Sequence, residues 1–161
     1  MDIYEYAMQM EKDGENYYRE LAGKIDNKGL TYIFTGLADA EVIHYQIFLK
    51  MKKNEKVFVA DTPILTNVKN IFIKMKEEKE ITGIHTSQIE LYKKAQEIEK
   101  KSQEFYREKA HEVKDPSQKE AFLKIAEEEK KHFFILENII VFVSRAENWL
   151  ENAEWYRFDE Y

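Results

Sequence analysis

Sliding the chain against itself by 88 residues lays Ile3–Met51 over Leu91–Ile139 without a gap, with 13 identities in 49 positions. An unrelated helical stretch of this composition would give about a third as many. One supersecondary unit is therefore written twice, and folds that do not contain the same unit in two copies are excluded. The matched pairs include Tyr4/Tyr92, Glu11/Glu99, Tyr18/Tyr106, Phe34/Phe122, Glu41/Glu129 and His44/His132.

The unit reads as a helical hairpin. Tyr4, Ala7, Glu11, Gly14, Tyr18, Leu21 and Ile25 recur at three-four spacing, as do Leu30, Phe34, Leu37, Glu41, His44, Phe48 and Met51. Asp26-Asn27-Lys28-Gly29 separates the two stripes with stop-and-restart chemistry, and Lys114-Asp115-Pro116-Ser117 does so in the second copy, where Pro suits a first helical turn. Only 5 Gly and 2 Pro interrupt the chain, in keeping with long helices. The expected organisation is one all-α domain over 1–161: a first hairpin over about 3–52, a crossover over about 53–85, a second hairpin over about 86–144, and an aromatic tail over 145–161. Leu65, Val68, Ile71, Phe72 and Met75 predict a short amphipathic helix inside the crossover. Helices of about 24 residues span roughly 36 Å, a length the crossover can run back along, so a four-helix bundle with one long connection is the expected architecture. The tail, with Trp149, Trp155, Tyr156, Phe158 and Tyr161, is expected to pack across the bundle or a neighbouring subunit, which makes a homodimer one of the assemblies anticipated.

Charge and residue usage then narrow the partners. A net charge of −6 has the wrong sign for nucleic acid or an anionic membrane, so neither is expected. The N-terminus lacks a basic and apolar leader pattern, and the most apolar stretch, 133–143, is broken by Glu137 and Asn138, so a cytoplasmic protein is expected. The chain has no cysteine, which excludes disulfides, thiolate nucleophiles and sulfur-ligated metals; any metal must be held by Glu, Asp and His.

Six residues break the apolar seams: Glu11, Glu41, His44, Glu99, Glu129 and His132. A carboxylate taken out of water costs several kcal/mol unless protonated or matched by a cation, so four in one interior need a common cause. Glu11 and Glu41 each stand about 15 residues from their turn, hence at one height roughly 22 Å along the bundle, and Glu99 and Glu129 are symmetric about theirs. Each Glu-x-x-His puts the imidazole one turn further on the same face. Two divalent cations would cancel the four charges, and an oxygen and nitrogen donor set suits iron or manganese, and zinc less selectively. A binuclear site is the expectation. Ala7, Gly14, Ala95 and Ser102 flank Glu11 and Glu99 with small side chains that leave room for metals, water or dioxygen. Tyr18 and Tyr106, seven residues beyond those Glu residues, are candidate catalytic residues placed to hydrogen-bond a ligand carboxylate. His85 and His111 lack such partners and read as surface or helix-end residues.

A Glu from each of two helices and Glu-x-x-His from the other two is the pattern of ferritin-like carboxylate proteins, and at these residues the chain resembles the rubrerythrin branch. The resemblance implies a ferritin-like bundle in which Glu41 and Glu129 bridge two irons, Glu11 and His44 hold one, and Glu99 and His132 hold the other. It also implies reduction of hydrogen peroxide. Two departures stand out: no cysteine supports a rubredoxin module, so electrons are expected from a separate donor protein, and Ser102 occupies the position of an additional ligand Glu. The leading expectation is an oxidoreductase acting on peroxide or dioxygen. Iron oxidation and storage of ferritin type, a di-manganese catalase-like site and a helical interaction module stapled by metal stay open beside it.

Overall fold

The protein is described over residues 1–146 from a computed structural model; the expected aromatic tail, 145–161, lies from residue 147 onward outside the described residues. Five α-helices follow in order: α1 (Ile3–Lys24), α2 (Lys28–Lys52), α3 (Ile64–Glu78), α4 (Ile89–Glu112) and α5 (Pro116–Arg145), with a 3-10 turn at Thr86–Gln88 before α4. No strand occurs among the described residues, and no helix among them is long and apolar enough to cross a membrane.

Local chemistry sets the helix ends. Asp2 caps α1 by accepting the Glu5 amide at 2.7 Å, Asn27 caps α2 through the Leu30 amide at 3.0 Å, and Asp115 accepts the Ser117 amide at 2.8 Å with Pro116 opening α5. Each cap satisfies one amide that the first turn of a helix leaves without an internal partner. The α1–α2 and α4–α5 pairs form the two hairpins, which meet through α1 against α4 and α2 against α5. α3 lies against α2 and α5, burying Val68, Phe72 and Met75.

The crossover is tied to the first hairpin at one end of the bundle. Asn27 donates from Nδ2 to the Thr82 carbonyl at 2.9 Å, so one side chain both caps α2 and pins the crossover. Beside it Gly83 has φ +76°, and a Cβ there would fall 2.1 Å from the Asp26 carbonyl oxygen. Glycine is required at that position for its backbone and for its lack of a side chain.

The interior is divided in two. One apolar cluster gathers Leu21, Leu30, Phe34, Tyr92, Ile139 and Phe142 with the inner face of α3; the other gathers Phe48, Met51, Tyr106, Ala110, Phe122 and Ile125. Between them lies a layer of buried Glu and His.

Candidate metal centre

That layer is where the sequence places its six anomalous residues, and the fold brings all six together. α1 contributes Glu11, α2 Glu41 and His44, α4 Glu99, and α5 Glu129 and His132; every one is at most 3% exposed. Their potential ligand atoms form two overlapping groups, each lying within 4.8 Å: Glu11, Glu41, His44 and Glu129, and Glu41, Glu99, Glu129 and His132. Glu41 and Glu129 belong to both. The two imidazoles stack with centroids 6.0 Å apart.

Glu11 Oε2, Glu99 Oε2, Glu129 Oε1 and His44 Nδ1 are buried in the layer without a hydrogen-bond partner; His132 Nε2 is unpartnered as well, while its Nδ1 is the ring nitrogen that faces the carboxylates. His44 Nδ1 lies 2.8 Å from Glu129 Oε1 and 3.5 Å from Glu11 Oε2, yet neither approach has hydrogen-bond geometry. His132 Nδ1 is 3.1 Å from Glu41 Oε1 and 3.4 Å from Glu99 Oε1. Buried polar atoms left unpaired are costly, and here they converge from four helices on one small region. Lone pairs of oxygen and nitrogen directed at common points, with no sulfur, form a donor set suited to hard or borderline divalent metals.

Electrostatics agrees. Burial, followed by the charges of Glu11 and Glu99, pushes the Glu41 carboxyl well above the usual range. Burial, followed by Glu11, Glu41 and Glu99, does the same to Glu129. Glu99 also suffers from burial, but the His132 charge, with Glu129 close by and the Tyr18 hydrogen bond, outweighs it and holds its carboxyl low. His44 is depressed by burial, yet the neighbouring Glu11 carboxylate outweighs it and carries it upward. Without metal, protons gather on the two shared carboxyls, because four like charges cannot coexist out of water.

Tyr18 and Tyr106 touch the layer from opposite sides, and they do so crosswise. Tyr18, on α1, donates to Glu99 Oε1 at 2.5 Å, and Tyr106, on α4, donates to Glu11 Oε1 at 2.6 Å. Each repeat's phenol thus serves the other repeat's Glu. Burial first, then the surrounding carboxylates, raises both phenols well above their ordinary value, so both remain proton donors. Gly14 lies against Glu41: a Cβ there would stand 3.0 Å from Glu41 Oε2. Ser102, its counterpart on α4, is buried, as are Ala7 and Ala95.

Glu128 is a neighbour the sequence reading passed over. It is 3% exposed, accepts Thr62 Oγ1 at 2.7 Å from the crossover, lies 3.4 Å from Lys131 Nζ, and adds its negative charge to those acting on His44. Its signal was available, since Ala121, Ile125, Glu128 and His132 keep the three-four spacing of a buried stripe. His85 and His111 are exposed at helix ends and take no part.

A sequence profile of the rubrerythrin family matches residues 2–140, most of the chain. No curated protein and no solved structure gives a significant match.

Proposed function

The chain belongs to the rubrerythrin family, and its bundle to the ferritin-like class; from this premise we propose that it is a di-iron carboxylate oxidoreductase that reduces peroxide or dioxygen. The observation that carries the reading is the sharing of Glu41 and Glu129 between two ligand groups, each completed by one further Glu and one His. Under it, Glu11 and His44 would hold one metal, Glu99 and His132 the other, and Glu41 and Glu129 would serve both. Bound iron would supply the two electrons and the electrophilic pull that cleaving an O–O bond requires.

The chain's own residues do the rest. Tyr18 and Tyr106 orient Glu99 and Glu11 through charge-assisted hydrogen bonds, which keep one oxygen of each carboxylate occupied and leave Oε2 of each free for metal. Glu41 and Glu129 release protons as metal binds and take them back when it leaves. The apolar clusters above and below exclude bulk water from the layer. In this reading electrons come from a separate donor protein.

Anaerobic reconstitution with ferrous iron should give two metals per chain. The reduced protein should then consume about one peroxide per pair of irons, one electron coming from each, and stop until a donor is supplied. Fewer than one metal per chain would refute the binuclear reading. Retention of many irons per chain without donor-dependent peroxide consumption would transfer it to storage.

A further inference from the structure

The two halves of the centre are nearly symmetric in ligands but not in what connects them to the surface. Behind Glu11 stands Tyr106; its ring lies 5.8 Å from that of Phe105, and Phe105 lies 4.8 Å from Tyr6, centroid to centroid. Tyr6 is 49% exposed. Behind Glu99 stands Tyr18, whose ring neighbours Phe34 at 6.3 Å and then Tyr92 at 5.5 Å are both wholly buried. The repeat places Tyr17 and Lys94 where the other side has Phe105 and Tyr6, and there Lys94 Nζ sits 5.7 Å over the Tyr17 ring while the Tyr17 hydroxyl is bound to the Leu91 carbonyl. Glu20 acts on both Lys94 and Tyr17 there, so charge does not separate the two sides; their ring contacts and exposure do. Phe105 likewise has a lysine over it, Lys109 at 5.3 Å, with Glu112 3.0 Å from that lysine. A branch from Tyr106 through Phe122 ends at Tyr4, which is only partly exposed and whose hydroxyl is held by Gln118.

We propose that Tyr6, backed by Phe105 and Tyr106, is the surface port through which single electrons pass between the centre and a one-electron donor. The inference rests on the oxidoreductase reading above. With a donor present, electrons enter at Tyr6. When donor is absent and peroxide persists, Tyr6 itself supplies the electron. At each centre one hydrogen peroxide gains two electrons and two protons and becomes two waters; Tyr6 of that chain loses one electron and one proton, and the second electron would come from the chain's reduced iron with a proton from solvent. Two such phenoxyl rings, on separate chains, then join by a carbon–carbon bond as dityrosine.

The test treats iron-loaded protein with hydrogen peroxide in the absence of donor, follows peroxide consumption in the same tube, and maps dityrosine by peptide mass spectrometry. Tyr32, 71% exposed and without a ring neighbour among the described residues, is the internal control for mere accessibility. Metal-free protein exposed to a photochemically generated one-electron oxidant should crosslink at Tyr32 and Tyr6 alike. Iron-loaded protein with peroxide should crosslink at Tyr6 at least fivefold over Tyr32, lose that product in Tyr6→Phe, lose most of it in Phe105→Leu with two metals still bound, and lose it when ascorbate is in excess. Peroxide consumed with crosslinks spread according to exposure, or unchanged by Phe105→Leu, overturns the port and leaves the oxidoreductase reading standing. No peroxide consumption overturns both.

Discussion

Removing the metals should make the stability of the protein fall as pH rises, and the size of the effect follows from the two shared carboxyls. In the metal-free fold Glu41 and Glu129 are buried among other carboxylates and hold their protons well above the usual range, whereas in the unfolded chain both titrate near 4.3. A group whose folded value is raised contributes stability below its unfolded value, and that contribution is lost as pH climbs toward the folded value. Each proton held by the fold and not by the unfolded chain costs about 1.4 kcal/mol per pH unit, so two give a slope of about 2.7 kcal/mol per unit at most. His44, also raised, adds to the slope with the same sign above its ordinary value. Glu99 is lowered, so its contribution is present above the unfolded carboxylate value and disappears only at more acid pH, outside the window. For a domain of this size, a change of about 2.7 kcal/mol corresponds to roughly 5–11 °C in Tm. Urea and thermal melts at pH 5.5, 6.5 and 7.5, with chelator and with ferrous iron under anaerobic conditions, measure it. The chelated protein should show the falling slope and the loaded protein a much flatter one, since bound metal has displaced the protons. Glu41→Gln should remove about half of the metal-free slope. A metal-free slope that is zero or positive over this range would refute the placement of protons on Glu41 and Glu129.

Other perturbations bear on the supports of the centre. Tyr18→Phe and Tyr106→Phe should each weaken metal binding by about 10–100-fold, measured by competition with a chromophoric chelator, because Glu99 and Glu11 lose the donors that orient them. Gly14→Val should displace Glu41, whose Oε2 already lies where a Cβ would be in tight contact, and metal analysis should show both positions depleted because Glu41 belongs to both groups. Asn27→Ala should lower stability by at least about 1 kcal/mol in denaturant melts, through the lost cap of α2 and the freed Thr82 carbonyl, without changing metal stoichiometry.

Much of the centre was legible because its residues contradict their surroundings. A Glu at position 11 or 129 conflicts with the apolar seam it lies on, and a conflict repeated 88 residues later demands one explanation. The helix ends were legible for a different reason, since Asn27 and Asp115 accept amides within their own turn and Pro116 fills a first-turn position whose amide hydrogen would have no partner. What could not be read were contacts that depend on how distant segments meet. Nothing local dictates that Tyr18 bonds Glu99, 81 residues away, or that Tyr106 bonds Glu11. The pinning of Thr82 by Asn27 and the approach of Gly83 to Asp26 likewise depend on the path of the crossover. Glu128 was obscured by its company, the acidic run Glu127-Glu128-Glu129, in which a buried carboxylate resembles a solvated one.

Neither hairpin holds a complete ligand group: Glu11, Glu41 and His44 require Glu129 from the second, and Glu99, Glu129 and His132 require Glu41 from the first. Cut apart, the hairpins would have to find each other by diffusion, and their encounter would depend on how much protein is present. The crossover makes that encounter intramolecular, at an effective concentration on the order of millimolar for a short tether. Pinned to the first hairpin by Asn27 and clasped to α5 through Thr62 and Glu128, it is a tether with little slack. Assembly of the centre is thereby made independent of protein concentration, so a dilute chain can complete its metal site as readily as an abundant one.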